Sequence, residues 1–215
     1  MPNTVPNLTK LQEFAVNRQG QYEVVRQTLY DFVTYPTAGA TQFLFFQNPK
    51  GTGGRTAADT NIEVAGSLPQ PKWFLVESIE IHLFPGVDIS ILGDGTAESE
   101  FSNDIYAVLA GQGFLNFFIG SKTYVEEAPL IRFPPKTRLH GESAFAIDNA
   151  AAARSFSYDY AAACGRPYFI DPEVLLIPNQ NFNVSLNFPT AIVTPSGEDA
   201  RIGVVLDGIL YRQSQ

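Results

Sequence analysis

Cysteine, histidine and charge are all scarce in this 215-residue chain, and each shortage narrows what it does. There is one cysteine, Cys164, so no intramolecular disulfide can form. It lies in Ala161-Ala162-Ala163-Cys164-Gly165, an apolar setting that suits a small buried thiol better than a nucleophile. The lack of disulfides fits assembly in a reducing cytoplasm. The only histidines, His82 and His140, are far apart and show no ligand spacing. A Ser-His-Asp set needs a histidine held by a carboxylate against a nucleophile, and nothing local supplies it. A cupin-like metal site needs a close histidine pair, which is missing.

Charged residues make up only 17% of the chain, against a usual ~25%. The formal net charge of −8 repels phosphate backbones, which argues against a broad nucleic-acid-binding surface. Lys10 and Arg18 are the only local basic cluster worth naming. Low charge suits a compact neutral protein, and it equally suits a surface covered by copies of itself. No run approaches the ~18 apolar residues that span a bilayer. Met1-Pro2-Asn3-Thr4-Val5-Pro6 lacks the basic and apolar regions of a signal peptide. The expectation is a chain neither exported by that route nor membrane-spanning, though able to lie against a membrane.

What the sequence has instead is 17 Phe, 9 Tyr, 17 Gly and 15 Pro. Aromatic and β-branched residues favour strands, and frequent Gly and Pro favour turns between them. Residues 1–20 read as a separate N-terminal arm. Leu8, Leu11 and Ala15 share a helical face there, with Asn7 as a cap and Gly20 as a stop. Residues 21–215 read as one domain.

In that domain the period is two. Val25, Gln27, Leu29, Asp31 and Val33 alternate with Arg26, Thr28, Tyr30 and Phe32 in a strand ending at Tyr35-Pro36. Further strands are expected over Thr41–Gln47, Asn61–Ala65, Lys72–Phe84, Ile105–Ala110, Phe114–Ile119, Lys122–Glu126, Leu130–Phe133, Glu173–Ile177, Phe182–Phe188 and Arg201–Arg212. Alanine runs over 149–165 predict a short helix. Loops are expected at 48–60, 87–104 and 189–199. Regularly spaced short strands read as an all-β sandwich or barrel, and about eight strands suit a single jelly roll with short helical insertions.

No motif assigns catalytic, cofactor-binding or metal-ligating residues, and the chain is read as a non-enzyme without a cofactor. Gly51-Thr52-Gly53-Gly54-Arg55 lacks the Gly-Lys-Ser/Thr ending of a phosphate loop and reads as a surface loop. Asp94-Gly95-Thr96-Ala97-Glu98-Ser99-Glu100 spaces oxygen ligands as calcium would need, yet it is not an EF-hand and a solvated acidic loop suits it better. Glu126 and Glu127 would disturb each other only if buried together. Trp73 and Tyr158-Asp159-Tyr160 could stack on sugars, though core packing is the commoner fate of such rings.

Several stretches resemble virion proteins of small tailless bacteriophages. They run from Thr28-Leu29-Tyr30-Asp31-Phe32-Val33-Thr34-Tyr35-Pro36 to Leu83-Phe84-Pro85-Gly86. They include Gln42-Phe43-Leu44-Phe45-Phe46-Gln47, Thr60-Asn61-Ile62-Glu63 and Leu68-Pro69-Gln70-Pro71-Lys72-Trp73-Phe74-Leu75-Val76. Ile177-Pro178-Asn179-Gln180-Asn181-Phe182 resembles late jelly-roll strands of the same group. The resemblance implies a capsid subunit that self-assembles into an icosahedral shell in the host cytoplasm. Its expected partners are copies of itself, other virion proteins and an internal lipid membrane. It also implies loops projecting from the sandwich ends. A double jelly roll needs more residues than this, hence the single one. A carbohydrate- or receptor-binding, spike-like jelly roll is the alternative.

Overall fold

The computed structural model describes residues 22–86, 101–136, 140–147, 154–161 and 166–213. The period-two stretches become strands, because alternation buries one face of a sheet. In chain order the elements are β1 (Tyr22–Tyr35), β2 (Gln42–Phe45), β3 (Trp73–Phe84), α1 (Phe101–Leu109), β4 (Phe114–Ile119) and β5 (Lys122–Pro129). They continue with β6 (His140–Ile147), β7 (Arg154–Ala161), β8 (Tyr168–Leu176), β9 (Phe182–Asn187) and β10 (Ala200–Gln213).

Eight strands form two four-stranded sheets, ordered β1-β10-β3-β8 and β2-β9-β4-β5, while β6 and β7 pair as a separate hairpin. Among these eight, the first pairs with the last, the second with the seventh, the third with the sixth and the fourth with the fifth, all antiparallel. That is one long hairpin wrapped around a core, the single jelly roll.

The inward residues of both sheets build one core. Leu29, Val76, Ile79, Ile81, Ile202, Val204 and Leu206 come from the first sheet, and Phe43, Phe45, Leu115, Phe117, Val184 and Leu186 from the second. Helix α1 covers one end of it, with Val108 buried and Ile105 and Leu109 packed alongside.

Four expectations are corrected. Ile105–Ala110 is helical, not a strand, and α1 also takes the last residues of the expected 87–104 loop. Phe101, Ile105, Val108 and Leu109 recur at helical spacing, and their apolarity had read as a strand. Arg154–Ala161 is a strand paired with β6, within the stretch expected to be helical. Ser155, Ser157 and Asp159 alternate with Phe156, Tyr158 and Tyr160, and that alternation outweighs alanine propensity of under about 1 kcal/mol per residue. Leu130–Arg132 is a 3₁₀ turn. Asn61–Ala65 makes no strand, and only the isolated bridge Val64↔Ser67 falls there. The arm 1–20, the acidic stretch 87–100 and Cys164 lie outside the described residues.

Candidate functional site

The register aligns a row of polar and aromatic side chains on the outward face of the first sheet. Across β1, β10 and β3 it places Thr28–Asp207–Ser78, Tyr30–Val205–Glu80, Phe32–Gly203–His82 and Thr34–Arg201–Phe84. Glu80 is 4% exposed and Asp207 7%, so their charges need partners. Glu80 Oε2 accepts the Lys136 backbone N–H at 2.8 Å and lies 3.2 Å from His82 Nε2. Lys136 Nζ donates to Asp207 Oδ2 at 2.9 Å. Arg26 Nη1 sits 2.9 Å from Glu77 Oε2 and 3.7 Å from Asp207 Oδ2.

Beside this network the Arg201 guanidinium lies 4.5 Å from the Phe32 ring centre, Phe32 meets the His82 ring edge-on, and His82 stacks on Phe84. Gly203 makes room: a Cβ there would come 2.0 Å from Phe32 Cδ1. The network holds the 133–136 segment against β3, with Ile81 N–H also bonding Phe133 O at 2.9 Å. It does not form a triad. Ser78 and His82 are four residues apart on one strand, about 13 Å at ~3.3 Å per residue.

The first sheet also carries a charge inward. Asp31 shares the core-facing side of β1 with Leu29, Val33 and Tyr35, and it is fully buried. Arg55 Nη2 donates to Asp31 Oδ1 and, at 2.8 Å, to Phe32 O. The Phe46 N–H donates to Asp31 Oδ2 at 2.5 Å. Burial pushes the Asp31 carboxyl up to about 6, against the lowering effect of the Phe46 N–H and Arg55.

Arg55 thus ties the 48–60 loop to the sandwich. Residues 51–54 stay exposed, while Asp59, Thr60 and Asn61 bond the outer edge of β1. The Phe32 N–H donates to Asp59 O at 2.8 Å, the Tyr30 N–H to Asn61 Oδ1 at 3.0 Å, and Asn61 Nδ2 to Thr28 O at 2.7 Å. An edge strand covered in this way no longer templates pairing along that stretch. The loop is thus anchored at Arg55 and at residues 59–60, while residues 50–54 and 56–58 stay exposed. Sequence reading treated Gly51–Arg55 as a plain surface loop and missed Arg55. The available signal was Asp31 itself, a carboxylate at a core-facing position that demands a buried cation.

At the other end, residues 189–199 are likewise anchored. Tyr35 Oη donates to Ile192 O at 2.7 Å, and burial, with Asp104 nearby, pushes that hydroxyl up to about 12. Asp199 accepts the Thr37 N–H at 2.7 Å and hydroxyl at 2.8 Å, which lowers its pKa. Buried Asp104 of α1 accepts the Ser196 N–H at 2.8 Å and its hydroxyl at 2.5 Å. Gly39, at φ 71, passes so close to Ile192 that a Cβ would sit 2.3 Å from its carbonyl oxygen.

The second sheet is chemically different. Strands β2, β4 and β9 read QFLF, FLNFFI and FNVSLN, with no ionisable side chain on either face. Outward lie Gln42 and Leu44 of β2, Asn183, Ser185 and Asn187 of β9, and Phe114, Asn116 and Phe118 of β4. Gln42 Nε2 donates to Asn187 Oδ1 and Asn187 Nδ2 to Ser185 Oγ, each at 2.9 Å. Leu44 is 49% exposed. Charge returns only at the edge strand β5, with Lys122, Glu126 and Glu127.

The residues weighed from sequence are not brought together. Trp73 packs with Leu75, Ile209, Tyr211 and Leu175 in a small apolar cluster on the first sheet's outward side. Glu126 and Glu127 are both exposed, so they are not buried as a pair. His140 begins β6 and Tyr158 and Tyr160 lie on β7, where only the backbone is described. The calcium candidate, Asp94 to Glu100, falls outside the described residues. Among the described residues no three His, Cys, Asp or Glu side chains are grouped to hold a metal. Among them, too, no helix is long and apolar enough to cross a membrane. No family model, no curated protein and no solved structure matches the chain.

Proposed function

We propose that this chain is a capsid subunit of a tailless icosahedral bacteriophage, assembling from many copies in the host cytoplasm. The observation that carries the reading is a single jelly roll in which three of the four strands of one sheet, β2, β9 and β4, carry no ionisable side chain. A face of that kind desolvates cheaply, because no ion loses its water. Many modest contacts of this sort, repeated by symmetry, hold a closed shell. Copies of itself are the main partners, with other virion proteins and an internal membrane as further contacts. The sugar-binding alternative has less support, since Trp73, one of its two stacking positions, packs into an apolar cluster.

The test is size. Sedimentation velocity and electron microscopy of the purified chain and of native particles should reveal large symmetric assemblies. A species that stays monomeric at every concentration and ionic strength would falsify the proposal.

A further inference from the structure

We propose that the segment leading into β1 docks through Leu8, Leu11 and Ala15 onto an apolar cluster around Trp73, on the outward face of the first sheet. This contact lies within one chain and does not depend on the capsid reading.

Alternation sets which way each side chain points. Phe74, Val76, Val174, Leu176 and Leu210 belong to the core, so their neighbours Trp73, Leu75, Leu175, Ile209 and Tyr211 face outward. The register sets these in two rows, Val24–Tyr211–Trp73 across β1, β10 and β3, and Arg26–Ile209–Leu75–Leu175 continuing onto β8.

Strand neighbours at ~4.8 Å shield only the flanks of an outward side chain, and its top stays wet unless something lies on it. Val24 at 41% and Phe169 at 51% show that ordinary exposure on this face. Leu75 is 1% exposed and Tyr211 5%. The Tyr211 hydroxyl is shut off from water without a hydrogen-bond partner, whereas a tyrosine open to solvent takes one there. Among the described residues, the apolar side chains packed on Leu75, Ile209 and Tyr211 are Trp73 and Leu175, which stand beside them in the same rows. The Arg26–Glu77 ion pair spans from β1 to β3 and shields Ile209 between them. Tyr211 lies two residues further on, roughly 7 Å away along β10. The cluster thus has a cover that these described neighbours do not account for.

The course of the chain selects the occupant. β1 starts at Tyr22, opposite Gln213 and two positions from Val24, so residues 1–21 join the sandwich at the border of the cluster. In their sequence Leu8, Leu11 and Ala15 share one helical face, with Lys10, Glu13 and Asn17 away from it. A helix ~10 Å across covers two to three strands at ~4.8 Å, the breadth of β10, β3 and β8. Tethering gives this segment a high effective concentration at the cluster, which a free partner of similar apolarity lacks.

Trp73 is the only tryptophan of the chain and belongs to the cluster, so its emission reports on the cover directly. Leu8→Glu with Leu11→Glu, in the full chain, is compared with wild type and with Lys10→Glu, which changes the net charge equally but off the apolar face. Circular dichroism melts verify folding. Expected is a folded double variant whose Trp73 emission moves to longer wavelength and is more readily quenched by acrylamide, with Lys10→Glu behaving as wild type. If the double variant fails to fold, Leu11→Glu alone gives the same readout with one apolar contact removed instead of two. A folded variant whose emission and quenching match wild type overturns the proposal and leaves the capsid reading standing. Wild type that already emits as a solvated indole overturns it as well. Wild-type Trp73 that becomes quenchable on dilution, in step with dissociation in sedimentation velocity, assigns the cover to a neighbouring copy and overturns docking within one chain.

Discussion

The two sheets of the sandwich have equal strand numbers and opposite chemistry. The first carries charge on both sides: the Glu77, Glu80, Asp207, Arg26 and Lys136 network outward and Asp31 inward. In the second, three of four strands carry no ionisable group at all. Charges on the first sheet are spent internally. They tie the 48–60 loop and the 133–136 segment to the strands, so that sheet holds the chain to itself. The second sheet makes few such ties and leaves its outward face available. Two sheets of one fold can therefore divide the labour of internal cohesion unequally, with the charged ties concentrated on the first.

The largest expected effect is at the buried pair. Arg55→Met leaves the Asp31 carboxylate buried without its cation, and thermal or denaturant unfolding should register a loss of about 3–5 kcal/mol. Adding Asp31→Leu should recover part of it, giving a coupling energy in a double-mutant cycle. Should the two losses simply add, the pair does not act as a unit. Asp31 also sets a pH dependence. Its folded pKa is raised to about 6 from the 3.8 of a free carboxyl, so the folded state holds a proton that the unfolded state releases. The stability it contributes is full below the free value and is lost as pH rises through about 6. A wild-type stability profile flat between pH 4 and 6 against Asp31→Asn would contradict this assignment.

A smaller effect sharpens the contrast on the outward side of the first sheet. Gly203→Val drives a side chain into Phe32, with a Cβ position 2.0 Å from Cδ1. Displacing Phe32 from between Arg201 and His82 should cost about 1–3 kcal/mol in chemical denaturation. An unchanged midpoint would mean that the aromatic row is not a packed layer.

The smallest effect belongs to the second sheet. Asn187→Ala should lower monomer stability by no more than about 1 kcal/mol, the net worth of its side-chain hydrogen bonds. Glu80→Ala on the first sheet should cost more, about 1–3 kcal/mol, because it strands the Lys136 N–H. If the order of these two losses were reversed, the division of labour between sheets would fail.

The all-β class and the long strands were legible because alternation over eight or more residues has only one cheap solution. β3 and β10 are examples, with Phe74, Val76, Ile202, Val204 and Leu206 on the core side. Failures came where runs were short or mixed. Ile105 to Leu109 is apolar enough for a strand, and only its spacing against Phe101 marks a helix. Arg154–Ala161 was obscured by flanking alanines, whose propensity is a weak term beside strand pairing. The site was less legible than the fold. An uncharged outward face emerges only once register assigns Gln42, Asn183 and Asn187 to one side. Arg55 and Asp31 are 24 residues apart, so their pairing depends on how the loop closes.

The pairing of β1 with β10 has a consequence for biosynthesis. Tyr22 lies opposite Gln213 and Tyr35 opposite Ala200, so the earliest strand of the sandwich waits for the latest. On the ribosome β1 has no native neighbour in its sheet until residues 200–213 emerge. Such distant pairing slows folding, because the whole intervening loop must close first. The first sheet is thus completed only once residues 200–213 are in place, so the order of strands along the chain is not the order in which that sheet can close.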